Sequence, residues 1–408
     1  MSLERAEHCA EDWAERPRAA FFTDSFHEVN GVALTSRQFD AFARRRQYPF
    51  LSAHVGPSTV VLSDGPVVTL ELERGPAAFP IELDMSFDPL FLRHKKRAIA
   101  VLSDFRPDLI HITGPSDMGI LGAFLAHEMD IPLVASWHTN LHEFGAKRLA
   151  KLMSFLPDSP REGMADLAER SILNTCAWFY SRAQVLLAPN QELVDLLSKL
   201  TGKPTFLMQR GADTTLFHPA KRQRADDAFT MGYVGRVTPE KSVRFLAEVE
   251  RSLLEAGHTN FRFLIVGDGN EREWLEANLK NADFAGVLKG EELARAFANM
   301  DLFLFPSLTD TFGNVVLEAF ASGVPAVVTN SGGPKFLVQQ GVTGFAAADD
   351  AAFLDAVLRV IADPDLHRSM CHAARDYALA LSWDAVFDKV YGAYEYCLSQ
   401  AAELRAAS

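Results

Sequence analysis

The sequence predicts an α/β protein made of two doubly wound parallel-sheet domains that face a central cleft. Short apolar runs alternate with helical stretches of about a dozen residues, a pattern typical of a parallel sheet covered by helices on both faces. The alternation occurs twice, once before and once after a charged linker that contains a proline, residues 218–229. A length of 408 residues is enough for two or three domains.

The first half is expected to hold a polar N-terminal extension, residues 1–16, and a domain over residues 17–217. The run RAAFFT at 18–23 predicts a buried strand, and a helix from about 32 to 46 completes the opening βα unit of a doubly wound fold. No GxGxxG pattern occurs at this turn, so a dehydrogenase is not supported. Further short strands are predicted within 48–84 and at 108–113, 131–136, 185–189 and 205–208, with helices at 87–105, 118–129, 141–182 and 191–200.

The second half, residues 230–381, repeats this architecture and is followed by a terminal segment, 382–408, with a helix from 383 to about 402. Two such domains joined by a linker are expected to bind a ligand in the cleft, at the carboxyl ends of the strands. Strands are predicted at 231–233, 261–266, 285–288, 302–305 and in the run ending at 329. Helices are predicted from Lys241 to about 256, at 271–279, at 291–300, around Glu318, after Pro334, at 351–362 and at 364–380.

Composition argues against several classes of protein. The net charge of −13 disfavours a nucleic-acid partner, and residues 223–408 carry most of it, with 16 Lys and Arg against 26 Asp and Glu. The four cysteines lie far apart, without metal-ligand spacing, and are expected to be free thiols. The start of the chain lacks an apolar signal region, and no apolar run reaches about 18 residues, so the sequence predicts a cytoplasmic protein without a membrane span.

One stretch, FPSLTDTFGNVVLEAFASGVPAVVT at 305–329, organises the second half. It predicts the end of a strand, a loop with Asp310, a turn at Phe312-Gly313-Asn314 and a helix that carries Glu318. The free N–H groups and the positive dipole end of a helix suit a phosphate, and ionised carboxylates accept strong hydrogen bonds from hydroxyls. Phosphate on one side and a polyol on the other indicate a nucleotide-sugar site.

The two carboxylates also have plainer interpretations. Asp310 is compatible with a turn residue and Glu318 with a solvated helix position. However, the apolar neighbours of Glu318 in VVLEAFA make an unpartnered carboxylate costly, so we expect Glu318 to have a dedicated partner. A carboxylate pair would instead serve glycoside hydrolysis if both groups flanked one glycosidic bond.

Three further positions carry candidate chemistry. Gly235-Arg236 and Lys241 lie where a strand leads into a helix, so an arginine fork and a lysine point charge would neutralise a diphosphate there. The alternative is a pair of surface cations. Gly31 either allows a ligand to approach the backbone or only forms a turn. His138 follows a strand end and is either a site residue or a structural histidine.

Taken together, these segments resemble one family. FTDSFHEVNGV, SWHTN, RGADTTLFHP, GYVGRVTPEKS, FLIVGDG and above all the 305–329 stretch look like the retaining glycosyltransferases of family 4, which have the GT-B fold. The resemblance covers nearly all of the chain after residue 17. It is closest to members that make sugar-bearing lipids, such as mannosyl, glucosyl and sulfoquinovosyl transferases. The family's signature is two glutamates separated by seven residues; here Asp310 replaces the first and Glu318 keeps the second.

The resemblance implies a role for each candidate residue. Glu318 would hold the ribose hydroxyls of a UDP- or GDP-linked sugar, and Asp310 would hold the donor sugar. Arg236 and Lys241 would neutralise the leaving diphosphate, and His138 would lie beside the sugar. The implied catalytic residues are His138, Asp310, Arg236 and Lys241, and the implied donor-binding residues are Gly31, Gly235, Arg236, Lys241, Asp310, Phe312, Gly313, Asn314, Val315 and Glu318.

The resemblance also implies a reaction without a metal or other cofactor, an acceptor that is a sugar or a lipid, and a last helix that crosses back to the first domain. Basic runs at 44–46, 94–97 and 147–151 would attract an anionic membrane surface on the inner face of the cytoplasmic membrane, or are ordinary solvated helix faces. The alternatives are a nucleotide-sugar epimerase or hydrolase of the same fold, and a non-catalytic nucleotide-sugar-binding protein.

Overall fold

The computed structural model describes residues 16–28, 31–82, 85–138, 170–224, 226–308, 310 and 312–407. Residues 1–15 of the predicted extension, most of the helix expected at 141–182 and the basic run at 147–151 lie outside the described residues. The chain divides into two compact units, Met1–Gln209 with Val386–Ser408 and Arg210–Ala385. Each unit has its own sheet and its own hydrophobic core.

The first unit is built on one eight-stranded sheet. Its strands are β1 Ala19–Thr23, β2 Phe50–Val55, β3 Val60–Asp64, β4 Val67–Leu72, β7 Leu109–Ile112, β8 Leu133–Ser136, β9 Val185–Ala188 and β10 Thr205–Leu207, and a separate hairpin pairs β5 Phe79–Glu82 with β6 Met85–Phe87. The order in the sheet is β10-β9-β8-β7-β1-β2-β4-β3. All neighbours are parallel except β3, which pairs antiparallel with β4. Strands β1, β2, β7, β8 and β9 are buried throughout, as expected for parallel strands covered on both faces.

The helices of this unit before the domain boundary are α1 Gly31–Arg46, α2 Lys95–Phe105, α3 Asp117–Glu128, α4 at residues 170–180 and α5 Gln191–Thr201. The prediction of a helix from residue 87 was wrong, because α2 begins only at Lys95 after a short 3-10 turn at Phe91–His94. The Asp88 carboxylate accepts hydrogen bonds from the Gly75 and Leu90 N–H groups, at 2.7 and 2.9 Å, and holds the chain in a turn.

The second unit contains a six-stranded, wholly parallel sheet in the order β13-β12-β11-β14-β15-β16. The strands are β11 Phe229–Val234, β12 Phe261–Val266, β13 Ala282–Gly286, β14 Leu302–Phe305, β15 Ala326–Thr329 and β16 Gly344–Ala347. The helices are α6 Phe245–Glu255, α7 Arg272–Asn278, α8 Gly290–Ala298, α9 Asn314–Ala321, α10 Asp350–Ala362 and α11 Pro364–Ala380. The sheet and the helices share one core of buried aliphatic and aromatic residues.

Three predictions of element limits in this unit were wrong. The strand expected at 285–288 lies at Ala282–Gly286, because an edge strand needs no continuous apolar run, and Val287 is 64% exposed. The helix expected directly after Lys241 begins at Phe245, since a 3-10 turn and Ser242, with φ of 52°, come first. The helix expected after Pro334 is only a 3-10 turn, Pro334–Phe336.

The final helix, α12, spans Trp383–Ala407, longer than predicted, and from Val386 onwards it belongs to the first unit. Phe387 stacks on Phe39 of α1, with ring centroids 4.3 Å apart. Tyr394 Oη lies 2.6 Å from His111 Nδ1 on β7. None of the helices in the described part of the chain combines the length and the apolar character that crossing a bilayer requires.

Candidate active site

The second unit has its strand-order reversal at β11, which lies between β12 and β14. At such a point the loops that leave the carboxyl ends of the two neighbouring strands diverge and open a crevice, and open α/β sheets bind ligands there. The loop after β11 carries Gly235, Arg236 and Lys241, and the loop after β14 carries Asp310. The topology therefore brings together residues that lie far apart in the sequence.

Lys241 and Asp310 form an ion pair across this crevice. Lys241 Nζ lies 2.6 Å from Asp310 Oδ2, and the two side chains are only 12% and 24% exposed. In a partly buried pair each charge offsets the other. Solvent screens their attraction less than it would on the open surface. The resemblance implied that Lys241 contacts phosphate and Asp310 contacts sugar, whereas in the structure the two side chains contact each other.

Arg236 is placed differently from Lys241. Its side chain is 72% exposed, and its guanidinium lies 3.4 Å from the Glu240 carboxylate. The Tyr233 hydroxyl donates a hydrogen bond of 2.7 Å to the Arg236 carbonyl oxygen. Burial raises the pKa of Tyr233, and the nearby Asp310 charge raises it further, so this phenol stays protonated. Arg236 thus has a hydrogen-bonded backbone and a solvent-exposed charge beside the crevice.

Glycines allow the loops of the crevice to lie very close together. A Cβ on Gly267, whose φ is 135°, would lie 1.8 Å from the Gly235 carbonyl oxygen. A Cβ on Gly332 would lie 2.4 Å from the Asp310 carbonyl oxygen, which also accepts a 2.7 Å hydrogen bond from the Gly333 N–H. The GDG and SGGP segments therefore hold Gly235 and Asp310 in place by backbone packing.

Helix α9 starts at the edge of the same crevice. Gly313 precedes it with φ of 89°, in the left-handed region, and the buried Phe312 anchors the turn. None of the described side chains caps this end, so its first N–H groups have no partner within the helix. The Val316 N–H donates to the Gly313 carbonyl oxygen at 2.9 Å, so the Asn314 and Val315 N–H groups and the positive end of the helix dipole are the features here that suit an anion. Their role in binding a phosphate stays a prediction.

Glu318 lies one turn further along α9. Its side chain is partly buried, and this burial raises the pKa of the carboxyl to about 7. Among the described residues none donates a hydrogen bond to it or forms an ion pair with it. The prediction that Glu318 has a dedicated partner is therefore not met by the described part of the protein. A carboxylate in this position gains most from donors that a ligand supplies.

Arg210 was assigned no role from the sequence, although it lies in the RGADTTLFHP segment. Its guanidinium lies over the Phe312 ring, 5.6 Å from the centroid, and Nη1 is 3.4 Å from Asn314 Oδ1. Burial lowers the pKa of Arg210 to about 10, which leaves it cationic at neutral pH. A lone arginine after a strand has no informative spacing, so only the fold shows that its charge lies beside the start of α9.

In the first unit, Gly31 and His138 follow the carboxyl ends of β1 and β8. Gly31 is the first described residue of α1, and its carbonyl oxygen accepts a 2.9 Å hydrogen bond from Thr35 Oγ1. His138 Nε2 lies 2.7 Å from Ser136 Oγ at the end of β8. Both residues are therefore at the edge of the first sheet where a doubly wound domain binds ligands.

His138 is the outer member of a buried chain of polar groups. Ser136 Oγ also lies 2.9 Å from His111 Nε2, and His111 Nδ1 lies 2.6 Å from Tyr394 Oη. Burial lowers the pKa of His111 well below its usual value, so its imidazole is neutral and has one donor and one acceptor. If Tyr394 donates to His111, then His111 donates to Ser136, Ser136 donates to His138 Nε2, and each of these three donors has an acceptor.

Comparison with known proteins agrees with this architecture. A family model described as Glycosyltransferase Family 4 matches residues 57–216, and one described as Glycosyl transferases group 1 matches residues 228–363. A GDP-mannose-dependent alpha-mannosyltransferase of Mycolicibacterium smegmatis is 33% identical over 328 residues, which are 77% of this chain and 80% of that protein. The chain belongs to glycosyltransferase family 4.

Further comparisons give this family-4 glycosyltransferase its enzyme class and its fold. A GDP-mannose-dependent alpha-mannosyltransferase of Corynebacterium glutamicum is 33% identical over 72% of this chain and 67% of that protein. The sucrose-phosphate synthase structure from Thermosynechococcus elongatus covers 97% of this chain and all of its own, with a TM-score of 0.66 at 21% identity. The predictions of a glycosyltransferase and of the GT-B fold are confirmed.

Within this family-4 enzyme, the second unit brings together most of the predicted site residues. The loops and the helix start around the Lys241–Asp310 pair hold Gly235, Arg236, Lys241, Asp310, Phe312, Gly313, Asn314, Val315 and Glu318. Gly31 and His138 belong to the first unit. The roles implied for these residues stay predictions.

Proposed function

We propose that the chain is a retaining hexosyltransferase that takes a sugar from a nucleotide-diphosphate donor, GDP-mannose first among those to test, and transfers it to a hydroxyl of a sugar or lipid acceptor. The observation that carries the proposal is Glu318, a partly buried carboxylate with a pKa of about 7 and no donor among the described residues. The two vicinal hydroxyls of a ribose are donors of the kind that this carboxylate lacks.

The diphosphate of the donor would lie at the start of α9. Lys241 and Arg236 supply positive charge, Asn314 and Val315 supply N–H groups, and Arg210 adds a partly buried cation nearby. A diphosphate carries more charge than one carboxylate, so it competes with Asp310 for Lys241. In this proposal Lys241 turns to the phosphate, and Asp310 is released to accept hydrogen bonds from the sugar hydroxyls.

The chemistry then consists of breaking the bond between the sugar C1 and the diphosphate oxygen. The electron pair stays on the diphosphate, the sugar passes through an oxocarbenium-like state, and the acceptor oxygen bonds to C1. The acceptor hydroxyl gives its proton to the departing diphosphate, on the same face of the ring, which retains the anomeric configuration. Lys241, Arg236 and the N-terminus of α9 stabilise the growing negative charge, so the proposal needs no metal or other cofactor for this step.

Relatives of this chain that are named GDP-mannose-dependent favour a guanosine donor over a uridine donor. The sugar is expected to lie beside His138, whose Nδ1–H would point away from Ser136 if the buried chain of donors runs as described. UDP-glucose is the main competing donor, because both bases fit the same arrangement of ribose and diphosphate groups.

The acceptor is proposed to be a lipid at an anionic membrane surface, with the protein on the inner face of the cytoplasmic membrane. The basic runs that the structure describes give little support to binding at an anionic membrane surface. Arg44 is paired with Asp40 and Asp64, each at 2.6 Å, and Lys95 with Glu128 at 2.8 Å. Paired cations attract anionic lipid less than free ones.

A donor panel followed by a transfer assay tests the proposal. The full chain is heated with GDP-mannose, UDP-glucose or ADP-glucose, because a ligand that binds only the native state raises the melting temperature. GDP-mannose is expected to give the largest shift, and the radiolabelled sugar is then expected in the lipid fraction of a membrane extract. Release of free sugar without an acceptor would indicate a hydrolase, and binding without turnover would indicate a non-catalytic protein.

A further inference from the structure

A cluster of metal-ligating side chains lies in the first unit, at the carboxyl edge of its sheet. His54 on β2 and Glu71 on β4 are register partners on adjacent parallel strands, so their side chains lie on the same face. His27, from the loop after β1, joins them, with Nε2 3.2 Å from Glu71 Oε2. His54 Nδ1 lies 4.0 Å from the same oxygen. Within the described residues this is the one group of three or more such side chains whose ligand atoms all lie within 4.8 Å of one another.

The cluster has a buried base and an open side. His54 is 2% exposed, and its ring is stacked on Phe26 at 4.0 Å between centroids. The Glu71 side chain is 13% exposed, whereas the His27 side chain is 51% exposed. Two ligands are thus held by the sheet, the third comes from a loop, and the remaining direction faces solvent.

These ligand types and separations fit a zinc-like cation. Imidazole nitrogen and carboxylate oxygen bind zinc at about 2.0–2.2 Å, so ligand atoms in a tetrahedral site lie about 3.3 Å apart. The separation of His27 from Glu71 already matches this value, and that of His54 from Glu71 needs to shorten by less than about 1 Å. The two imidazole nitrogens lie within 4.8 Å of each other, so they need to approach by at most about 1.5 Å. Three protein ligands with one open position are characteristic of zinc sites that bind water or substrate.

A hydrogen bond between His27 and Glu71 explains part of the cluster without a metal. It leaves unexplained why a second imidazole is buried opposite Glu71, where its only polar contact shown besides Glu71 is a 3.3 Å approach of Nδ1 to the carbonyl oxygen of its neighbour Val55. In the Val55 contact Nδ1 must be the donor, so ligation through this atom requires His54 to carry its proton on Nε2 and to give up that contact.

We propose that His27, His54 and Glu71 bind one divalent cation of the zinc class, with a fourth position open to water or to an oxygen ligand. The cation would tie the loop after β1 to strands β2 and β4. The proposal is independent of the proposed donor chemistry, which uses no metal.

The test measures metal binding directly. The full chain, with any affinity tag removed, is stripped with a chelator and titrated calorimetrically with zinc. One equivalent is expected for the wild type, with binding at least about tenfold weaker in His27→Ala and in Glu71→Gln, since even outer-shell changes cost that much. His27 is half exposed, so its loss is not expected to affect folding, which circular dichroism checks. His127→Ala, which removes an exposed histidine on α3, is the matched control and is expected to bind like the wild type.

Cobalt gives a second readout, because a tetrahedral cobalt site with these ligands has visible absorption bands that surface-bound cobalt lacks. The wild type and His127→Ala are expected to show the bands, and the two ligand variants are expected to lose them. No saturable zinc binding in the wild type overturns the proposal. So does equal binding in both ligand variants, or equal weakening in His127→Ala, because binding would then be absent or nonspecific.

Discussion

Glu318 is the residue on which the account depends most. The Glu318 carboxyl has a pKa of about 7 in a partly buried position, where its ionised form destabilises the fold unless hydrogen-bond donors pair with it. Structural carboxylates in such positions normally have donors, as Glu250 does from the Lys280 and Asn281 N–H groups. Glu250 and Glu318 differ in this respect on the same unit, and the proposed function assigns the missing donors of Glu318 to a substrate.

The stability of the protein should depend on this carboxyl in a predictable way. Its pKa is about 4.5 in the unfolded chain and about 7 in the folded one, so the stability it provides in the protonated form is present below pH 4.5 and is lost as pH rises through 7. Glu318→Gln should therefore raise the free energy of unfolding by about 1–3 kcal/mol at pH 8 and change it little at pH 4. Urea unfolding at the two pH values measures this, and a variant less stable than the wild type at pH 8 would contradict it.

Donor binding should show the opposite dependence on pH. Ribose hydroxyls donate to the ionised carboxylate, so binding favours the deprotonated form and lowers its pKa. Below pH 7 the donor must first remove a proton, and its affinity should fall by up to about tenfold per pH unit, with a plateau above pH 7. Titrations of donor between pH 5.5 and about 8.5 measure this. Glu318→Gln should give a weaker affinity with no such slope, and an equal slope in that variant would exclude Glu318 as its source.

At the scale of elements, two loops from neighbouring strands make the site. Lys241 follows β11 and Asp310 follows β14, and the parallel pairing of these strands brings the two loops to one edge. The glycines at 235, 267 and 332 let the supporting turns approach closely enough to hold both loops. The loops therefore present their charges without depending on a bound ligand.

Replacing Lys241 by alanine should reduce transfer activity while leaving the protein folded. Lys241→Ala leaves Asp310 partly exposed, so the loss of stability should be small, whereas the stabilisation of the leaving diphosphate is lost. Transfer should fall on the order of a hundredfold or more, as for other lost charge-stabilising groups. Steady-state transfer by the purified variant measures the effect, with its melting curve as the control for folding. Turnover like that of the wild type in a folded Lys241→Ala protein would exclude the role.

The final helix α12 offers a matched pair of tyrosines. Tyr394 is hydrogen-bonded to His111, whereas the Tyr391 hydroxyl is buried and has no partner among the described groups. Tyr394→Phe leaves a buried imidazole nitrogen without its donor and should cost about 1–3 kcal/mol, while Tyr391→Phe should be neutral or stabilising. Chemical denaturation of both variants tests this. If Tyr391→Phe were the more destabilising change, the assigned hydrogen bonds would be wrong.

Tyr394→Phe should also act on the reaction, because the same chain orients His138. The imidazole of His138 would then be free to change tautomer, so kcat should fall. The affinity for the donor should change less than about twofold, since the donor nucleotide is proposed to bind the second unit. Tyr391→Phe is again the control. An unchanged kcat in Tyr394→Phe would restrict the chain to a structural role.

At the scale of the whole molecule, each unit has a doubly wound sheet with candidate site residues at its carboxyl edge. The buried strands could be located from the sequence because β14 is an unbroken apolar run and β1 and β7 are each apolar at all but one position. The exposed edge strand β13 and the late start of α6 could not be predicted as well, since both depend on turns with little apolar pattern.

The candidate site was predictable only in part. Charged residues beside strand ends, and the resemblance to a known family, indicated Lys241, Asp310 and Glu318. The ion pair between Lys241 and Asp310 joins residues 69 positions apart, and its distance depends on strand order, which no local pattern encodes. Arg210 was missed for the same reason, because its position beside Phe312 is a property of the fold.

Calorimetric titration of GDP into the full chain tests the central claim most directly. We predict one site per chain in the wild type, with affinity at least about tenfold weaker in Lys241→Ala and in Glu318→Ala, since each loses a charge-assisted contact. Lys280→Ala, an exposed lysine elsewhere on the second unit, should bind like the wild type. Equal affinity in all four proteins, or no binding of GDP or UDP to the wild type, would contradict the claim that these residues form a nucleotide-diphosphate site.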